Sequence, residues 1–397
     1  MTRRLGFVLA TLAGATPLAA QTSPPQFDST RLAAVVEYLR SQVDSAFPGA
    51  VVAVGNHNHI ALLAAVGHYG VDDPRPMTTE TLFDLASLTK VIGLTTACIL
   101  LVDQKKLDLD AEVQRYLPEF RGTGKEKVTI RHLLTHSSGL PAWRPLFRET
   151  ESREAALALV DTTPLDTVPG ARYLYSDLGA IVLTQVVERI TKTRIDQYLD
   201  TAVFKPLGMT TTRYLPPAEW QGRIAPTEMD TVFRHRMIRG EVHDENTGRL
   251  EGISGHAGLF STGPDMATFA MWLLRSDAVG QSRATTGGDG PPAPARPRPT
   301  LPVVQEFTTR QDLPPGSSRA LGWDTPSEHS SAGTRLSTHA FGHTGFTGTS
   351  IWLDPDRDLF IILLTNRVHP TRANTKILKV RPRVADLVVD ALTDPRP

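Results

Sequence analysis

The chain has a single cysteine, Cys98, set inside an apolar segment, so it has no internal partner for a disulfide and reads as a small core residue. An excess of one charge is also missing. Lys+Arg and Asp+Glu both number 42, which leaves no basic field to draw nucleic acid. No block of like charges forms a polybasic membrane patch. Neither H-E-x-x-H nor a C-x-x-C pair occurs, so the usual zinc signatures are absent and neither a metal nor a cofactor is expected. The G-x-S-x-G elbow of α/β-hydrolases is absent too. No repeat of 20–50 residues appears that would indicate a solenoid. What remains is the composition of a soluble globular protein, 40% hydrophobic and 21% charged over 397 residues.

At the start, Arg3 and Arg4 precede an apolar run ending in Leu18-Ala19-Ala20. This pattern predicts a secretory signal peptide over residues 1–20, cleaved near Ala20. The run is short and diluted by Gly6, Gly14 and Pro17, which argues against a membrane anchor of about 20 apolar residues. No cysteine follows it, which argues against a lipoprotein. The mature protein is expected to be periplasmic or secreted, with no stable membrane span.

Periodicity then divides the chain. Residues 30–46 carry a helical stripe at Leu32, Val35, Val36 and Leu39. GAVVAVGNHNHIALLAAVGHYG reads as two strands around a turn at 56–58, and TSIWLDPDRDLFIILLTN as two more around 354–358. A helix over 382–392 is expected to place Pro382 at its first position. Residues 81–274 read as mostly helical, including a long helix over 82–102 and another over 177–191. Strands at both ends and helices between them predict an α+β fold: one antiparallel sheet from both chain ends, flanked by helices, with an inserted helical domain. The expected parts are an α/β part of 27–83 plus 318–397 and a helical part of 84–317, together one domain of 27–397. The Gly/Pro-rich stretch 281–300 reads as a flexible insertion.

One local conflict stands out. Lys90 falls in the first turn of the helix expected over 82–102, where the helix dipole disfavours a cation. Ser87 lies one turn before it, on the same face. Burial and dipole together predict a lowered lysine pKa, and an easily deprotonated amine beside a hydroxyl is a general base beside a nucleophile. The competing reading is a serine cap with a lysine whose stem lies along apolar surface. In YLYSDLGA, Tyr175 precedes a helix with Asp177 two residues on; packing tyrosines with Ser176 or Asp177 as cap explain it equally well. In FGHTGFTGTSIW, Gly345 and Gly348 flank a strand start where a backbone can approach a ligand closely, or form a plain turn.

Together these segments resemble the penicillin-recognising serine hydrolases, the β-lactamase and penicillin-binding-protein superfamily, class C β-lactamases and their esterase relatives most of all. The likeness runs from about Phe47 to the C-terminus, and VTIRHLLTHSSGLP is similar to a signature of that branch. VHDENTGRLEGISGHAGLFST is similar to a subgroup containing N-acetylmuramyl-L-alanine amidases. The resemblance implies Ser87 as acylated nucleophile, Lys90 as base or proton relay, and Tyr175 as phenolate partner and proton donor to the leaving group. It further implies an oxyanion hole from the amides of Ser87 and Phe346, with Asp177, His343, Thr344 and Gly345 facing substrate. His256 is expected to line the cleft, and His136 to order its own turn. His243 and Asp244 are expected to order a loop rather than bind metal.

Two departures matter. Asp177 stands where the lactamases have asparagine, and His343 where they have lysine. Both changes are expected to weaken attraction for a substrate carboxylate, giving poor β-lactam turnover and favouring amide or ester substrates with no carboxylate at that point, or with an amine near Asp177 as in aminopeptidase relatives. The function expected is an exported serine hydrolase of an amide or ester, with a small-molecule or peptidoglycan-derived substrate; carboxylesterase action or a non-catalytic binder of cell-wall fragments are the alternatives.

Overall fold

The computed structural model describes residues 26–278 and 297–393. The signal peptide expected over 1–20 lies outside the described residues, as does most of the stretch 281–300. Its last four residues are held in place: Trp272 Nε1 donates to the Pro297 carbonyl at 2.7 Å, and the Thr300 amide donates to Asp103 Oδ1 at 2.9 Å.

Among the described residues, ten strands run in chain order as β1 (Gly49–Gly55), β2 (Ile60–Gly70), β3 (Asp73–Pro76), β4 (Phe83–Asp84), β5 (Met229–Asp230), β6 (Arg236–Met237), β7 (Phe260–Ser261), β8 (Phe341–Thr344), β9 (Ser350–Asp354) and β10 (Leu359–Thr365). Six form one antiparallel sheet in the order β3-β2-β1-β10-β9-β8, so the two chain ends meet at its centre, where Val52 pairs with Leu363 and Val54 with Ile361. Successive side chains of β1 enter opposite cores. Ala50, Val52 and Val54 pack with Leu32, Val35, Leu39, Val384 and Val388 from the two terminal helices, Ser29–Ser41 and Ile377–Asp390. Val51 and Ala53 pack instead with Phe269, Met266 and the helical region. Cover on both faces explains why β1 and β10 are apolar without alternation, each such buried side chain contributing roughly 1.5–3 kcal/mol. Cys98 is buried within the second core, its thiol pushed well up by burial. The fold is the expected α+β arrangement, with β8 as the sheet edge beside the helical region.

Three local expectations fail. The helix placed over 82–102 is not continuous. Leu82 bridges to Ile224, Phe83 and Asp84 pair with Ser261 and Phe260, and the helix proper begins near Lys90. Its first turns, Lys90–Thr95, are widened, with the Thr96 hydroxyl donating to the Val91 carbonyl. Such widening recurs at functional sites. The C-terminal helix starts at Ile377, five residues before Pro382, which therefore sits in its interior rather than at its first position. The expected helical middle also contains the small ladders β4–β7 and β5–β6, two residues each and too short to leave a period in the sequence.

Candidate active site

Ser87 sits on a tight turn between β4 and the helix. The Leu88, Thr89 and Lys90 amides donate to the carbonyls three residues back, and Ala86 is forced to a φ of 47°. That left-handed value is uncommon for a residue with a side chain and is held by its surroundings. The buried Asp84 carboxylate accepts from the Ala86 amide at 2.8 Å and the His243 amide at 2.6 Å. Burial raises its pKa against those two donors.

Lys90 is buried and uses all three ammonium protons. Nζ donates to Ser87 Oγ at 3.2 Å, to Asp177 Oδ1 at 2.7 Å and to the His256 carbonyl at 3.0 Å. Burial disfavours its charge, but Asp177 and Tyr175 outweigh burial and hold the Lys90 pKa above its ordinary value. The sequence-based expectation of a lowered pKa is therefore wrong. The cation at this helix start is neutralised by a carboxylate 87 residues away in sequence. Asp177 is itself well placed, as the first residue of the helix Asp177–Thr191, where an acid complements the dipole.

Ser176 caps that helix, its hydroxyl accepting from the Gly179 amide. The preceding segment is fastened by His136, whose carbonyl accepts from the Leu174 amide at 2.9 Å and whose Nδ1 accepts from the Ser176 amide at 3.1 Å. His136 thus orders more than its own turn. It stacks 4.5 Å from Tyr175, centroid to centroid, and burial above all keeps it neutral, helped by Arg319, Lys90 and His343. Lys90 Nζ lies 4.8 Å from the Tyr175 ring centre. The Tyr175 hydroxyl is buried with no hydrogen-bond partner among the described residues.

The third wall is β8 and its turn. His343 is buried and neutral, first because of burial and then because of Arg319 and Lys90. Its Nδ1 donates to the Thr344 carbonyl at 2.8 Å, which leaves Nε2 an acceptor without a partner among the described residues. Gly345 is required by space: a Cβ there would lie 2.1 Å from Thr349 Oγ1 and 2.4 Å from the Leu85 carbonyl. The Thr347 and Thr349 hydroxyls donate to the Asp84 and Leu85 carbonyls at 2.7 and 3.0 Å, fastening the sheet edge to the turn bearing Ser87. The Ser87 and Phe346 amides donate to no other group among the described residues, so both remain available. Ser87, Tyr175, His343, Thr344, Gly345 and Phe346 all line one cleft of about 510 Å³.

A family model described as Beta-lactamase matches residues 33–383. The chain belongs to the beta-lactamase family. Within that family it is similar to a Salmonella typhi protein named putative D-alanyl-D-alanine carboxypeptidase, 32% identical, with 94% of this chain and 91% of that one covered. Among solved structures it is similar in fold to a penicillin-binding protein homologue from Caulobacter crescentus, with TM-score 0.71, 18% identity and 94% and 100% of the two chains covered. It is likewise similar to EstCE1, a hydrolase with promiscuous acyltransferase activity, with TM-score 0.69, 22% identity and 90% and 99% covered.

Two expected substrate-binding residues of this beta-lactamase-family cleft sit elsewhere. The Asp177 carboxylate is engaged by Lys90 rather than offered to the cleft. The His256 ring is buried and turned away: Nε2 donates to Asp244 Oδ1 at 3.0 Å and Nδ1 bonds Ser254 Oγ at 2.7 Å, so only its carbonyl serves the site. Asp244 caps the helix Glu245–Arg249, and His243 bonds Glu228 at 2.7 Å while stacking on Phe346.

The sequence reading missed three arginines on the cleft wall: Arg319, Arg367 and Arg381. Arg319 is buried, its Nη2 donating to the Gly322 carbonyl at 2.9 Å, with Asp324 3.9 Å away, too far for a hydrogen bond. Its Nε has no partner among the described residues. Arg381 left a signal in the sequence: it occupies a position of the apolar stripe that includes Ile377, Val380, Val384 and Val388, where a charge is out of place.

Proposed function

We propose that the protein is an exported serine hydrolase that forms an acyl-enzyme on Ser87. The observation carrying this reading is the 3.2 Å contact from Lys90 Nζ to Ser87 Oγ, in a cleft where the Tyr175 hydroxyl has no other partner. Lys90 acts as a fixed ammonium that supports negative charge growing on Oγ during attack on the substrate carbonyl. The Ser87 proton passes to Tyr175 Oη as the Tyr175 proton passes to the leaving atom, so no net charge is created on the phenol. The free amides of Ser87 and Phe346 receive the oxyanion. Water then repeats the sequence in reverse to release the acid and restore Ser87.

The substrate favoured is an amide whose leaving group carries a carboxylate, as in the terminal dipeptide that names the Salmonella relative's activity. Support comes from the charge balance of the cleft. Asp177 is neutralised by Lys90, and Arg319 supplies a buried cation, so the repulsion anticipated from Asp177 is absent. His343, which burial keeps neutral where the lactamases have lysine, leaves Arg319 as the cleft's cation for that carboxylate, so weak turnover is expected of β-lactams and of terminal D-alanyl-D-alanine alike. A carboxylesterase is the second reading, favoured by the exposed apolar rim of Tyr173, Phe346 and Leu378.

Intact mass of the mature protein, wild type and Ser87→Ala, tests this with an aryl ester, a peptide ending in D-alanyl-D-alanine, a muramyl peptide and a penicillin. A Ser87-dependent adduct or turnover is expected, and the best substrate separates peptidase, amidase and esterase. No Ser87 dependence with any of them would favour a binding protein instead. The mass of protein recovered from the periplasm reports cleavage near Ala20.

A further inference from the structure

The turn after β8 is gripped by two guanidinium groups, and they hold different peptides. Arg381 Nη2 donates to the Gly345 carbonyl at 2.6 Å and to the Thr349 carbonyl at 2.8 Å, adding a charged donor to the backbone bonds those carbonyls accept from the Gly348 amide at 3.0 Å and the Gly345 amide at 2.8 Å. Arg367 Nε donates one peptide further on, to the Phe346 carbonyl at 2.7 Å, with its guanidinium 4.5 Å from the Phe346 ring centre. The Gly345 carbonyl and the Phe346 N–H belong to one planar unit, and this peptide is trans. In a trans peptide the two groups point in opposite directions, so whatever fixes the carbonyl fixes the N–H. A Cβ on Gly345 would lie 2.4 Å from the Leu85 carbonyl and 3.4 Å from Ala86 Cβ, so this peptide lies against the turn bearing Ser87, and Phe346 and Ser87 line the same cleft.

Arg381 is buried, and no carboxylate pairs with it among the described residues. Two carbonyls are a weak return for burying a cation, and a stable core has no need of one there. Resting on the serine-hydrolase reading above, we propose that Arg381 is a positioning residue for the oxyanion hole. Its guanidinium fixes the Gly345–Phe346 peptide with the N–H toward the Ser87 side, and by polarising the carbonyl it makes that N–H a stronger donor. A charge-assisted bond to one end of an amide strengthens donation at the other. Because the arrangement exists before substrate arrives, it requires no reorganisation as the oxyanion forms.

Arg381→Met, Arg381→Lys and Arg367→Met, each with melting temperature recorded, test this on an aryl ester and on an arylboronic acid that adds to Ser87 as a tetrahedral adduct. Removing one oxyanion donor outright lowers kcat about 10²–10³-fold, so weakening it in Arg381→Met should lower kcat roughly 10–100-fold, with KM changed less than about threefold. Boronate affinity should fall by the same factor, and Arg381→Lys should recover part of both. Arg367→Met, acting on the next peptide, should lose less than about fivefold in kcat. Equal losses in Arg381→Met and Arg367→Met, or kcat within about twofold of wild type in Arg381→Met, would overturn the proposal. If Arg381→Met does not fold, Arg381→Lys decides: parallel loss of kcat and boronate affinity supports it, and no loss in either overturns it. Wild-type turnover by Ser87→Ala would instead overturn the underlying hydrolase reading.

Discussion

Two buried cations flank the segments that carry Ser87 and Phe346, and they are held in opposite ways. On the helical side, Lys90 meets a carboxylate, and Asp177 keeps its affinity for the proton above the ordinary value. On the sheet side, Arg381 meets only carbonyls among the described residues, and burial with Arg367 nearby pulls its pKa down to about 9. A full opposite charge offsets desolvation; two dipoles do not. The first arrangement suits a group that must stay charged while a neighbouring hydroxyl loses its proton. The second leaves a cation whose field is uncancelled where negative charge would develop.

The largest test of this contrast is Ser87→Ala, which removes the atom both sides serve. Turnover should fall by about 10⁴-fold or more, with melting temperature nearly unchanged because the residue is only half-buried. Retained turnover would mean that the two walls do not converge on Ser87. Tyr175→Phe should lower kcat about 10²–10³-fold by removing the only group assigned to carry the proton. A loss confined to KM would make the phenol a binding group. Asp177→Asn turns the lysine into a cation held by neutral groups alone, as Arg381 is. Burial is then opposed by Tyr175 alone, and with the Asp177 side chain 20% exposed we expect a stability loss of about 1–3 kcal/mol in denaturant titration. An unchanged unfolding midpoint would show that the pair contributes little.

The smallest effect concerns the two neutral histidines that pack on Tyr175. His136 and His343 both have pKa values pushed below the ordinary value by burial. Below about pH 6.5 the unfolded chain binds protons that these rings refuse, so stability falls as pH drops from there toward 5. Each ring contributes a slope approaching about 1.4 kcal/mol per pH unit. Denaturant midpoints between pH 5 and 7 check this, and His343→Gln should flatten the slope by one proton's share.

What was legible in the sequence was local or periodic. β1 with β2 and β9 with β10 stood out as apolar runs interrupted by Asn- and Asp-rich turns, and the helix Asp177–Thr191 was bounded by its own cap. The Ser87–Lys90 spacing and the His343–Phe346 turn were visible as motifs, and the structure brings both to one cleft with Tyr175. What was misread depended on partners far along the chain. The Lys90 pKa was inverted because Asp177 lies 87 residues away. The helix over 82–102 was extended backward because its apolar start looked helical, whereas pairing of Phe83 and Asp84 with β7 makes it strand. His256 was placed in the cleft by residue type, but its ring is claimed by Asp244 and Ser254. Arg319 and Arg367 left no local sign, since their role arises from the carbonyls they meet across the fold.

The two threonine bonds from the β8–β9 turn to Asp84 and Leu85 span 263 and 264 residues of sequence. Contacts that distant form late, because the loop they close is long and its entropy must be overcome first. During synthesis, the turn carrying Ser87 emerges long before the segment that completes it. A chain halted between Ser261 and Thr349 would already contain Asp177, His256 and β7, which hold Lys90 and the strand before Ser87, and still lack the edge that completes the pocket. The site therefore reports on its own completion: reactivity at Ser87 should appear only when the whole sheet has closed.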